Sequence, residues 1–174
     1  MQNDGTRAEL PVPVEVEDNT GRWMVDGLPM VLVPQHLITN SLAALEDRLG
    51  AESMEVFRAS GNRSARQWCA HESARLDLSG AAVLRHYLDR LSRRGWGQFT
   101  IDEFDEETGH CRIRVAHSAL ISGRDVARSC YVFEGWLQGA LEFIGPTLTN
   151  SSPLTIQETH CAINGDEACV FASN

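Results

Sequence analysis

The chain has 174 residues, of which 43% are hydrophobic and 22% charged, and a formal net charge of −9. That is one domain's worth of chain with globular composition, which sets disorder and low complexity aside. The acidic balance does not suit a phosphate-binding surface or anionic lipid, and no apolar run approaches the ~20 residues that cross a bilayer, so neither nucleic acid nor membrane is an expected partner.

Residues 1–20 are polar, carry Pro11 and Pro13 and show no period. They are read as a flexible N-terminal arm, with a single domain over 21–174. The arm has no apolar secretory region, and five cysteines make an odd count, so reduced thiols in a cytoplasmic setting are expected. Met30 to Val33 is a buried-strand candidate. Pro34 suits a first helical turn, and Leu37, Ile38, Ser41, Leu42, Leu45 and Leu49 follow at helical spacing, with Gly50 as the stop. A second helix is predicted from Glu52 to His71 with an inner stripe of Met54, Phe57, Gly61, Ala65 and Trp68, Gly61 permitting close packing. A third begins after Ser79 as N-cap, turns Leu84, Tyr87, Leu88 and Leu91 inward, and ends at Gly95.

The period then changes. Gln98 to Ile101 alternates, residues 106–109 read as a turn, and Cys111, Ile113 and Val115 alternate with Arg112, Arg114 and Ala116, which is an antiparallel hairpin. A loop at 122–125 leads to a long helix over Val126–Ile144, striped by Cys130, Phe133, Leu137, Leu141 and Ile144 and ended by Pro146. Gly135 and Gly139, four apart, leave a smooth patch for a neighbouring element. A strand over Leu154–Ile163, a turn at 164–166 and a return strand over Ala168–Ala172 complete an α+β domain with an antiparallel sheet and packed helices.

Cys161 and Cys169 lie symmetrically about residue 165, so a tight turn makes them cross-strand neighbours, close enough to share a metal ion. Glu158, three residues earlier, falls on the opposite face of a flat strand and needs a bulge or an edge position near Thr159 to join them. Cys130 supplies a fourth donor. Three thiolates and a carboxylate would form a closed, structural tetrahedral site. Spacing alone leaves plain core cysteines as the alternative. His160 is a rival ligand that alternation turns away, and the same alternation defeats a His160–Cys161 nucleophile pair. Ser118 with His117 and an aspartate is a chance triad, and no phosphate loop or dinucleotide fingerprint is present. The four tryptophans are read as core, and His71 and His86 as surface positions.

Cys130, Gly135 and Gly139, followed by Glu158-Thr-His-Cys161, Gly165-Asp166 and Cys169, resemble the 4-vinyl reductase domain family. Leu49-Gly50, Gly61 and Gly95-Trp96-Gly97 extend the likeness over about residues 21–172. The resemblance implies a fold shared with Golgi transport-particle subunits and haem NO-binding sensors, and a homodimer. It also implies structural zinc (Zn2+) at Cys130, Glu158, Cys161 and Cys169, as in the sensory domains of phenol-responsive bacterial regulators. Those sensors carry a pocket histidine and tryptophan that are unmatched here near Leu84–His86 and Val115. They also continue into output domains, whereas this sequence ends at Asn174, so output through a separate effector protein is expected. The primary expectation is a zinc-stabilised domain that binds a small hydrophobic or aromatic molecule, walled by Leu84, Tyr87, Trp96, Phe99, Val115 and Ile156. The alternatives are an accessory or enzyme of vinyl-group reduction in tetrapyrrole metabolism, or a dimeric adaptor. With no nicotinamide or flavin fingerprint, no catalytic residue is assigned.

Overall fold

The computed structural model describes residues 10–121, 130–150 and 153–174. The chain divides into two compact units, Met1–Leu32 and Val33–Asn174.

In the first unit, β1 (Glu15–Val16), β2 (Trp23–Val25) and β3 (Leu28–Met30) form an antiparallel meander. Asp26 and Gly27, both at positive φ, make the two-residue turn that pairs Val25 with Leu28. Strand pairing thus begins at Glu15, inside the segment expected to be a loose arm. The strand expected over Met30–Val33 instead stops at Met30, and Val31 and Leu32 are each 81% exposed. Their apolar character had no bearing on pairing, because the register set by the Asp-Gly turn brings Met30 opposite Trp23, where β2 begins.

The second unit holds α1 (Gln35–Leu49), α2 (Ala51–Leu76), α3 (Ala81–Arg93), β4 (Gln98–Phe104), β5 (Cys111–Ala116), α4 (Tyr131–Ile144), β6 (Ile156–His160) and β7 (Cys169–Ser173). Its antiparallel sheet runs β4-β5-β7-β6, so the architecture is the expected α+β. The loop expected at 122–125 and the helix start at Val126 lie outside the described residues. Gly50 ends α1 at φ +57 as anticipated, but Ser79 does not cap α3; Gly80 holds that position at φ +54 without a side-chain cap.

Packing of α2 on α4 is set by glycine. A Cβ on Gly135 would overlap the Arg58 carbonyl, and one on Gly139 the Asn62 carbonyl. Gly61, from the α2 side, would place a Cβ 2.8 Å from the Trp136 ring. The backbones therefore meet with nothing between them, which positions the α4 N-terminus and its cysteine. The inner row of α4, Phe133, Leu137 and Ile144, is fully buried against the sheet face that carries Ile113 and Phe171. Phe133 meets Phe99 and Phe171 edge-on, with centroids 5.2 and 6.3 Å away.

Candidate metal centre

Three separate elements converge at the end of the sheet nearest the α4 N-terminus. Cys130 is the N-cap residue of α4, and its carbonyl accepts the N–H groups of Phe133 and Glu134. Glu158 lies in β6. The β6–β7 register runs from Glu158↔Phe171 to His160↔Val170, so Thr159 is the extra residue of a bulge. That is the irregularity the E-x-x-C spacing demanded, and it turns Glu158 and Cys161 to one side. Cys161 follows His160 and so falls opposite Cys169 at the head of β7.

The connection between these two cysteines is not the tight turn expected. A 3-10 turn over Ala162–Asn164 and Gly165 at φ +97 form it, and β6 ends at His160 rather than Ile163. This knuckle has a chemical use. The Ile163 N–H points at the Cys161 sulfur and the Ala162 N–H at the Cys169 sulfur, each favouring the thiolate. Asp166 Oδ2 accepts the Cys161 N–H at 2.9 Å and locks the corner.

The donor atoms of Cys130, Glu158, Cys161 and Cys169 all lie within 4.8 Å of one another. Cys130 Sγ is 3.4 Å from Cys169 Sγ, which is 3.8 Å from Cys161 Sγ. Tetrahedral coordination at ~2.3 Å per sulfur sets neighbouring sulfurs ~3.8 Å apart. The cysteines are at most 3% exposed, and all five in the chain are free thiols. Glu158 Oε1 is buried and has no hydrogen-bond partner among the described residues. An orphaned carboxylate oxygen among three thiols suits a cation, because burying it unpaired is costly. Bond donation to Cys169 and then burial raise the Cys130 thiol, burial pushes Cys161 up to about 12, and burial raises the Glu158 carboxyl. Cys169 alone is lowered, by the hydrogen bond from Cys130. A divalent ion would reverse this, since coordination deprotonates thiols outright. His160, the rival ligand, is exposed and lies 3.1 Å from Thr159 Oγ1 through Nδ1.

A supporting shell escaped the sequence reading. Glu134 Oε1 accepts the Glu158 N–H at 2.9 Å, and its Oε2 takes the Arg58 Nε–H of α2 at 2.6 Å. One turn on, Gln138 donates to the Leu154 carbonyl at 2.8 Å and accepts the Ile156 N–H at 2.9 Å. Two α4 side chains thus serve the outer backbone of β6 as a neighbouring strand would. The four-residue steps Cys130, Glu134, Gln138 could have flagged them.

The candidate ligand-pocket residues fall in two places. Leu84 and Tyr87 are buried on α3, and Tyr87 packs on Trp68 at 5.1 Å. Phe99 pairs with Val115 across β4–β5, and Trp96 meets Trp136 edge-on at 4.8 Å. Ile156 stands apart, on the far strand. It lines a groove of about 970 Å³ between α2, α4 and β6, along with Arg58, Asn62, Gln138, Gln157 and Glu158.

A second polar cluster sits between α2 and α3. Glu72 is fully buried, bonded by Arg75 at 2.6 and 2.7 Å and lying 2.7 Å from His86 Nε2. His86 is therefore a buried-cluster residue stacked on Trp68, not the surface position expected. Burial alone would raise the Glu72 carboxyl, but the bonds and charges of Arg75 and His86 outweigh it and hold it below its usual value.

The fold and site define an α+β domain with a cysteine-rich cluster suited to a metal ion. The chain belongs to the family described as domain of unknown function DUF5943, whose profile matches residues 8–102. No curated protein matches it in sequence. Among solved structures it is similar to the phenol-responsive sensory domain of the transcription activator PoxR with phenol. The TM-score is 0.75 at 17% identity, covering 92% of this chain and 83% of that one. It is also similar to a trafficking protein particle complex subunit 3 from Naegleria fowleri covalently bound to palmitic acid, with TM-score 0.57, 12% identity and coverage of 80% and 93%. A vinyl-4-reductase family protein from Methanocaldococcus jannaschii gives TM-score 0.52 and 14% identity, with 83% of each chain covered. At these identities the likeness defines the fold. No helix among the described residues is long and apolar enough to cross a membrane.

Proposed function

We propose that this chain is a zinc-stabilised domain that binds a small hydrophobic or aromatic molecule and passes the signal to a separate effector protein in the cytoplasm. The observation that carries the metal half is the convergence of Cys130, Glu158, Cys161 and Cys169 from α4, β6 and β7. Thiolate-rich tetrahedral sets favour zinc, which when bound would supply a redox-inert cross-link between the last hairpin and α4. Holding it is the work of this chain's own groups: the knuckle amides stabilise the thiolates, Asp166 fixes the corner, and Glu134 fixes the strand.

The ligand half is supported by the fold shared with a phenol-bound sensory domain and a palmitate-bound subunit. The aromatic layer of Trp96, Phe99, Phe133 and Trp136 also supports it, because rings that meet edge-on or tilted, with small contacts, can part around a flat apolar guest. Leu84, Tyr87 and Val115 complete the proposed walls, while Ile156 lines the separate groove between α2, α4 and β6. A homodimer is part of the same reading. Leu37, Leu45 and Leu49 of α1 are 50%, 36% and 39% exposed, an apolar row that a second copy would cover.

Native mass spectrometry of the purified chain tests both halves together. The expected result is one zinc per chain, a dimer mass, and a small apolar molecule lost on denaturation. A metal-free chain refutes the zinc centre. A zinc-loaded chain whose Trp96 and Trp136 fluorescence ignores phenols and fatty acids refutes the ligand reading.

A further inference from the structure

The geometry points to Glu158 as an exchangeable ligand of the proposed metal, which yields its place to a small neutral nitrogen or sulfur donor entering from the groove between α2, α4 and β6. This rests on the zinc reading above and goes beyond it: among the described residues, Glu158 is the donor of the set that lines that groove.

The four donors are not equivalent. The cysteines are at most 3% exposed, and none of them lines the groove, whereas Glu158 is half-buried and does. The sulfurs of Cys161 and Cys169 are held by knuckle amides. The Glu158 carboxylate is bonded by the thiols of Cys161, Cys169 and Cys130, which are the other donors of the set; its Oε1 has no partner among the described residues, and the Glu134 bond fixes only its backbone N–H. Ligating carboxylates are ordinarily kept in place by hydrogen bonds from outside the donor set, and among the described residues Oε1 of this one has none.

Charge favours exchange as well. A divalent ion with three thiolates and one carboxylate leaves two uncompensated negative charges in a partly desolvated site. Two groove cations that reach α4 are already engaged, Arg58 by Glu134 and Glu55 and Arg66 by Glu142. Replacing the carboxylate by a neutral donor removes one negative charge from the buried site and returns it to water in the groove. Softness selects the newcomer, since a metal bound by thiolates prefers nitrogen or sulfur to a hard oxygen. In the step itself the metal–oxygen bond to Glu158 breaks and a bond to the incoming lone pair forms. No electron is transferred, and the carboxylate swings into a groove of about 970 Å³, ample for an imidazole-sized molecule.

The test uses the full chain loaded with cobalt(II), whose visible bands report the donor set, titrated with imidazole. The expected result is a saturable shift of the ligand-field bands with undiminished sulfur-to-cobalt charge transfer. Glu158→Ala, retaining one cobalt per chain, should lower the half-saturating imidazole concentration at least tenfold. The wild-type titration stands whether or not that variant folds. Bands that ignore imidazole in the wild-type chain overturn the proposal while leaving the metal centre intact, and so does a response that erases sulfur charge transfer. A chain that binds no cobalt with a thiolate signature overturns both readings.

Discussion

Glu134 accepts the backbone N–H of Glu158 at 2.9 Å, so the helix whose N-cap is the first thiol also pins the strand that carries the carboxylate. The same Glu134 is bound to Arg58 of α2, which ties the position of three elements to one side chain. Glu134→Ala is expected to cost about 1–3 kcal/mol in urea unfolding, because it strands the part-buried Glu158 N–H and leaves Arg58 paired with Glu55 alone. Zinc should also be lost to a chelator faster. Glu134→Gln, which keeps an acceptor at Oε1, should restore most of the chelator resistance and little of the Arg58 pairing.

The cysteines should separate into two groups. Cys161→Ala removes a donor from the cluster and is expected to lower the melting temperature strongly and abolish stoichiometric zinc, since loss of a structural metal is among the large-effect mechanisms. Cys69→Ala and Cys111→Ala delete buried thiols that burial pushes up to about 12 and about 11. They should cost only core repacking, about 1–2 kcal/mol, and retain one zinc per chain. Equal melting and metal content across the three variants would refute the assignment.

Gly139 faces the Asn62 carbonyl across the α2–α4 seam. Alanine is the better helix former by about 1 kcal/mol, so Gly139→Ala would stabilise an open helix. Here the added methyl meets backbone, and a net loss of about 1–3 kcal/mol is expected from overpacking. Thermal denaturation decides the sign; a stabilised variant would mean the seam is looser than it stands.

Acid should act through Glu72. Its carboxyl is held below the usual 4.5, so its contribution is present above that value and is lost as pH falls through the lower folded value. Glu72→Gln should therefore be less stable than the wild type near neutrality, and the gap should narrow as the pH falls below 4.5. Denaturant midpoints of both chains from pH 7 down to pH 3 check this. The gap should be read on zinc-free protein, because metal binding is itself pH-dependent.

Much of this was legible because it depends on spacing. The α4 stripe, the glycine pair and the hairpins are periodic, and the Thr159 bulge followed from asking how Glu158 could share a side with Cys161. The knuckle was not legible. Symmetry about residue 165 admits several connections, and the one chosen depends on Asp166 reaching back to the Cys161 N–H. Nor was the fate of Glu72 or His86. Each looks like a solvated residue on a charged helix, and only the crossing of α2 and α3 brings them to 2.7 Å. Val31 and Leu32 misled for the opposite reason: apolar character was read as burial, while the partner strand β2 begins at Trp23 and pairs no further than Met30.

The paired grip of Glu134 and Gln138 on β6 also bears on solubility. A sheet's outermost strand offers free amides and carbonyls to any other chain, and that is how many β-proteins begin to aggregate. On this border the amides of Ile156 and Glu158 and the carbonyl of Leu154 are already satisfied from within. On the opposite border, β4 breaks its register between Ile101 and Glu103, around Asp102, and presents acids there. Neither rim is left as a template for fibre growth, and the domain keeps its sheet to itself.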